Sequence, residues 1–257
     1  MIYEDYYSIS EINRWSLDRD IPWEDIDRDA AYSQPELLDQ IRTSTLIESI
    51  HPVTTNLLLR LLWDDVDATA ILSVELFEGF RHFHALRRYL TLLDYEPDVT
   101  DEDILDVRRK ANAASADPDL TQELVNFVFS EHFAAYFFTR VARQAADPVL
   151  ATLAQMIARD EFQHTKISYD LLKKRIDEHQ EDPNRVLDAA AGFQHYGESA
   201  VEEVPVFQRN DLQAIKSYMK KVRQLTGIRL VDYLKEQLLA SATERFDPEY
   251  PVTDQIP

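Results

Sequence analysis

The sequence predicts an all-α protein, a four-helix bundle with additional helices toward the C-terminus. Three observations carry that expectation. Only four of 257 residues are glycine, too few for the turns of a strand-rich fold or for a phosphate-cradling loop. Four stretches of roughly 25–30 residues repeat apolar side chains at three- and four-residue steps, the helical period. The connections between those stretches are short, as between antiparallel neighbours in a bundle.

Taken in order, residues 1–32 read as a polar, aromatic arm, with WSLDRDIPWEDID extended. Ser33-Gln34-Pro35-Glu36 supplies a cap residue, an early proline and a first-turn acid, the start of a helix. Its apolar pattern runs to about Trp63, with a kink expected at Pro52. A second long helix spans 65–93, between Asp64 and Asp94. Thr100 with Asp103 resembles a capping box for a shorter helix over 101–115. Two more long helices, 118–145 and 147–177, are divided by the proline in Ala-Ala-Asp-Pro. A helix near 183–197, a break at VEEVPVFQ and an amphipathic helix over 210–241 complete the chain. The whole reads as one domain: arm 1–32, bundle 33–178 and helical extension 179–257.

Composition removes several functions. There is no cysteine, so thiol nucleophiles, thiolate zinc and cysteine-held iron–sulfur clusters are excluded. With 47 acidic against 27 basic residues the net charge is −20, which argues against a nucleic-acid partner, since such affinity comes from neutralising phosphate. The start, MIYEDYYSIS, lacks the basic and apolar regions of a secretory signal, and no apolar run reaches the roughly 18 residues of a membrane span. A cytoplasmic location is the expectation.

The chemistry is sought where polar residues interrupt apolar stripes. In the fourth long helix the stripe Leu150, Leu153, Ala154, Ile157 and Leu171 passes through Glu161, His164 and Ser168. Glu-x-x-His is the spacing by which one bundle helix offers two ligands to a metal ion; dinuclear carboxylate sites use it on two helices, with a lone Glu from each of two others. Glu131 lies in the aromatic stretch NFVFSEHFAAYFF and Glu48 in STLIESIHPVTTNLLLRLL. A buried carboxylate must be paired or bound to a cation. Glu48 and Glu78 are 30 residues apart, as are Glu131 and Glu161, and each later Glu is followed closely by a histidine, His82 or His164. The expected metal ligands are therefore Glu48, Glu78, His82, Glu131, Glu161 and His164, with Glu75 the alternative to Glu78. No further catalytic residue is expected. Four carboxylates balance two divalent cations, and this donor set suits iron or manganese. Phe80, Phe83, Phe127, Phe129, Phe133, Tyr136 and Phe137 are candidates to line an apolar substrate channel.

At these motifs the chain resembles a known family. EHFAAYFFTRVARQA (131–145) followed by LAQMIARDEFQHT (153–165) is similar to the soluble acyl-carrier-protein desaturases, members of the ferritin-like di-iron carboxylate superfamily. FEGFRHFHALRRYL (77–90) resembles their Glu-Glu-Asn-Arg-His segment, and LIESIHP (46–52) their first Glu-bearing helix. The resemblance covers roughly residues 36–178. It implies two iron ions, with manganese or a mixed manganese–iron pair as the alternative. It also implies O2-dependent desaturation or hydroxylation of an acyl chain tethered to acyl carrier protein, a ferredoxin-type electron donor and a homodimer. Arg87 and Arg88, or Lys216, Lys220, Lys221 and Arg223, are the candidate docking residues for acidic partners. Two positions depart from the family pattern: Gly79 stands where a ligand Glu is expected, and Ala134 replaces a threonine associated with oxygen activation. Both allow other readings: an oxygenase of a biosynthetic pathway acting on a non-fatty substrate, or a metal-poor, non-catalytic relative.

Overall fold

The computed structural model describes residues 2–114, 116–178, 181–201 and 211–244, with side chains to 239. Among them every regular element is helical. The arm expected at the N-terminus instead begins with a helix, α1 (Ile2–Asn13), and holds a short α2 (Arg28–Tyr32). Its aromatic residues are what turn it inward: Tyr6 and Trp15 are buried.

The first long segment is two helices, α3 (Pro35–Glu48) and α4 (His51–Leu61). Pro52 sits in the first turn of α4, where its missing amide costs nothing, so the expected kink is a break at Ser49-Ile50. Helix α5 (Val66–Leu93) is capped by the Asp65 carboxylate and ends at Asp94 in the left-handed conformation. Helix α6 (Asp101–Ala114) opens with the capping box, Thr100 N donating to Asp103 and Asp103 N to Thr100 Oγ1. Helices α7 (Leu120–Gln144) and α8 (Pro148–Glu178) form the most extensively packed pair. Helix α9 (Pro183–Ala191) is shorter than expected and is followed by a 3-10 turn at Tyr196–Ser199. The VEEVPVFQ break lies outside the described residues after Val201. The single last helix becomes α10 (Leu212–Thr226) and α11 (Leu230–Glu244), parted by Gly227 at φ +77°.

Helices α3 with α4, α5, α7 and α8 make the bundle, and α1 packs along α5 and α8. Two large apolar clusters fill it, with a small third around Tyr6, Ile71 and Ile167. One gathers Ile41, Leu86, Phe138 and Leu153; the other gathers Leu58, Leu72, Phe129 and Leu171, with Tyr218 and Val222 of α10 packed on it. On both α5 and α8 the polar residues fall between the stretches that enter these two clusters. The apolar plugs therefore close the bundle at either end and leave a charged layer at its centre. No helix among the described residues is long and apolar enough to cross a membrane.

Candidate metal centre

The central layer is built from helix ends and helix faces. Glu48 is the last residue of α3 and His51 the first of α4. Helix α5 supplies Glu75, Glu78 and His82, α7 supplies Glu131, and α8 supplies Asp160, Glu161 and His164. All of these are buried, and both His82 and His164 are 0 % exposed.

Three groups of three ligand atoms lie within 4.8 Å of one another: Glu48, His82 and Glu161; Glu131, Glu161 and His164; and His51, Glu75 and Glu131. Glu161 joins the first two, its Oε1 being 2.8 Å from His82 Nδ1 and its Oε2 3.2 Å from His164 Nδ1. Glu131 Oε2 stands 3.3 Å from the same His164 nitrogen. Glu48 Oε2 is 3.8 Å from His82 Nδ1. Five of the six expected ligands thus meet with both histidines presenting Nδ1 to the centre.

Glu78 is placed differently. Its Oε2 accepts from His164 Nε2 at 2.9 Å and from Tyr6 OH at 3.2 Å, and its Oε1 accepts from Ser10. Asp160 plays the same part for the other histidine: Oδ2 accepts from His82 Nε2 at 3.1 Å, from Trp15 Nε1 at 2.6 Å and from Arg81 at 2.9 Å. Each carboxylate engages the Nε2 of one ring, so that Nδ1 is the nitrogen turned toward the centre. Glu78 and Asp160 each stand four residues before their helix's histidine. That shared spacing is the signal that separates Glu78 from Glu161, which stands three before. The expected alternative, Glu75, faces the centre: its Oε1 is 2.7 Å from His51 Nδ1, and its Oε2 accepts from Thr55. His51 Nε2 is in turn 3.1 Å from Glu48 Oε2. His51, Asp160, Trp15, Tyr6 and Ser10 were not among the residues expected at the site.

The electrostatics follow from burial set against close opposite charges. Burial alone would push His82 and His51 toward neutrality. Instead Glu161, Asp160 and Glu48 raise His82 well above its usual value, and Glu75 and Glu48 do the same for His51. The Glu131 carboxyl is driven well up by burial and by the charge of Glu161. Burial opposes the ionised form of Glu161 too, but His82 and its hydrogen bonds to Glu131 and His164 hold it well below the carboxylate range.

Four buried histidine and glutamate atoms of this layer lack a hydrogen-bond partner: His51 Nδ1, Glu75 Oε1, His82 Nδ1 and Glu161 Oε1. They approach one another at 2.7–2.8 Å in the pairs given above, yet without hydrogen-bonding geometry. Unsatisfied buried polar atoms are costly. Nitrogen and carboxylate oxygen converging in this way fit cations that accept from all of them at once, so the residues present suit a dinuclear metal group.

A recess opens beside this layer, lined by Ile50, Thr54, Ala134, His195 and Tyr196 among others, with a cavity volume of about 30 Å³. That holds a molecule the size of water or dioxygen. None of the seven aromatic candidates lines it. Phe127, Phe129 and Phe133 are buried in the apolar cluster around Tyr218, whereas Phe80 is exposed. Ala134 does line it, together with Glu48, Glu131 and Glu161. Of the docking candidates, Arg87 pairs with Asp101 and Arg88 with Asp18, while Lys221 lies over the Tyr169 ring.

No family model matches the chain, and no curated protein matches it in sequence. Among solved structures it is similar to the R2-like ligand-binding oxidase from Sulfolobus acidocaldarius, at 14% identity and a TM-score of 0.64, over 90% of this chain and 93% of that one. At that identity the likeness speaks to architecture. The chain has the ferritin-like helical fold.

Proposed function

We propose that this protein is a non-haem di-iron oxidoreductase that uses O2. The observation that carries the reading is the set of buried histidine nitrogens and carboxylate oxygens that converge at the middle of the bundle, four of them without a hydrogen bond. The solved neighbour is itself called an oxidase, which agrees with it. Glu48, His82, Glu131, Glu161 and His164 would hold the metals, iron first, with manganese or a manganese–iron pair as the alternative. Bound there, such a pair supplies O2 reduction and attack on an unactivated C–H bond.

This chain's own residues do the rest. Asp160 and Glu78 keep protons on the Nε2 atoms of the two histidines and so aim each Nδ1 inward. Trp15, Arg81, Ser10 and Tyr6 hold those two carboxylates in turn. The apolar plugs exclude bulk water, and the recess at Ala134 admits a small molecule.

For the substrate, the motif resemblance supports an acyl chain on acyl carrier protein, desaturated or hydroxylated with electrons from a ferredoxin-type donor, in a homodimer. The basic group on α10, Lys216, Lys220, Lys221 and Arg223, is the docking surface this reading would use. A second reading, oxygenation of a smaller non-fatty substrate, is favoured by the size of the recess, which would have to open for an acyl chain. Metal analysis tests the common core. Glu161→Ala and His164→Ala should each reduce bound iron to about half or less of the wild-type content, because each removes a donor from the point where the ligand groups meet. Full iron content in both variants would contradict the assignment.

A further inference from the structure

The two halves of the centre are not equivalent, and their difference is one of complementary volume. His82 and His164, Glu78 and Asp160, and Gly79 and Glu161 are three pairs, each 82 residues apart. Gly79 therefore occupies the register of Glu161, three residues before its histidine. The lone carboxylates Glu48 and Glu131 are followed three residues later by His51 and Ala134 respectively. The second half sets a small residue, Ala134, beside a large one, Glu161, and both reach the same recess. The first half sets a large residue, His51, beside a small one, Gly79.

The contact between the last two is direct. A Cβ added at Gly79 would stand 2.6 Å from both Cε1 and Nδ1 of His51 and 2.8 Å from its Cγ. The imidazole thus fills the volume that a Glu at 79 would need, and the two cannot coexist in this packing. The ring is also aimed at the centre. It is 9 % exposed, its Nδ1 has no hydrogen-bond partner, and one ring nitrogen lies within 4.8 Å of ligand oxygens from both Glu75 and Glu131. Thr55 Oγ1 donates to the far oxygen of Glu75 at 2.9 Å, leaving Oε1 toward His51.

Resting on the dinuclear reading above, we propose that His51 is a third histidine ligand of the centre, occupying the place left by Gly79, with Glu75 supplying the carboxylate that position 79 lacks. The donor set becomes Glu48, Glu75, Glu131 and Glu161 with His51, His82 and His164. The four carboxylates still balance two divalent ions, and one nitrogen donor is added. An added neutral imidazole is a stronger donor than a carbonyl or water and a less anionic one than a carboxylate. The centre should therefore be asymmetric between its two metal positions.

The test counts nitrogens in the full-length protein and needs no turnover. Wild-type protein is loaded anaerobically with Fe(II), poised in the mixed-valence state and examined by pulsed EPR with and without 15N-histidine labelling, alongside iron content. The proposal expects three inequivalent histidine couplings in the wild type. In His51→Ala it expects two couplings and a loss of about half the iron. The swap His51→Ala with Gly79→Glu, which restores the second half's pairing of small and large residues, should recover the iron but keep two couplings. Only two couplings in wild-type protein that holds two irons would overturn the proposal and leave the di-iron reading standing; the wild-type count decides even where a variant does not fold. Iron below about half an equivalent in the wild type would overturn both.

Discussion

At the scale of single residues, Gly79 is the position on which most depends. Its lack of a side chain is a packing requirement, since the nearest neighbour of an added Cβ is the buried ring of His51. Gly79→Ala should destabilise the metal-free protein by about 1–3 kcal/mol, the usual range for overpacking a filled interior. Urea unfolding of the two proteins measures it. A stability equal to wild type would mean that the ring yields freely and does not occupy a fixed place. The sequence marked Gly79 as odd through its register with Glu161, and marked Glu161, His164, His82, Glu131 and Glu48 through polar residues on apolar stripes. It could not mark His51, which sits beside Pro52 at a break and gains its meaning only from what lies across the bundle. The sequence points to Glu78 through the 30-residue repeat and through its place one turn before His82. That repeat counts chain length between helices that end differently, whereas the distance back from each histidine follows the helix itself and distinguishes the two roles.

At the scale of elements, α5 and α8 were legible from their long apolar periods, and the structure adds their caps: Asp65 on α5 and Asp147 on α8, where Asp147 Oδ2 accepts from Leu150 N at 2.9 Å. Helix α1 was not. Its tyrosines and acids have little apolar periodicity, and it is held by long-range contacts, Tyr6 and Ser10 to Glu78 and Tyr3 N to Asp67, which no local pattern encodes. The division of the last helix was missed for the opposite reason: an apolar period runs through Gly227, but that residue takes φ +77° and stops α10. A Cβ there would meet nothing within 4 Å, so the cost of substitution is conformational. Gly227→Ala should lower stability by about 1 kcal/mol without altering metal content. Thermal unfolding and metal analysis together check it. Loss of metal in this variant would show that the C-terminal helices communicate with the centre.

At the scale of the whole molecule, the bundle spends its central layer on charge and recovers stability at both ends, where residues such as Leu58, Ile71, Leu86 and Leu153 are fully buried. That architecture was foreseeable from the four long amphipathic stretches, and the ferritin-like likeness to a solved oxidase accords with it. Composition alone could not locate the centre, because a net charge of −20 is mostly solvated surface. What distinguishes the central carboxylates is that they meet histidine nitrogens in a buried layer. The central claim is that this layer holds two metal ions, and it is tested most directly by anaerobic iron loading of the wild-type chain. Iron per chain is measured first, then the optical spectrum after O2 is admitted. About two irons per chain, with absorption of an oxygen-bridged ferric pair, is the result predicted. Less than about half an equivalent of iron, or mononuclear iron without that absorption, would contradict it.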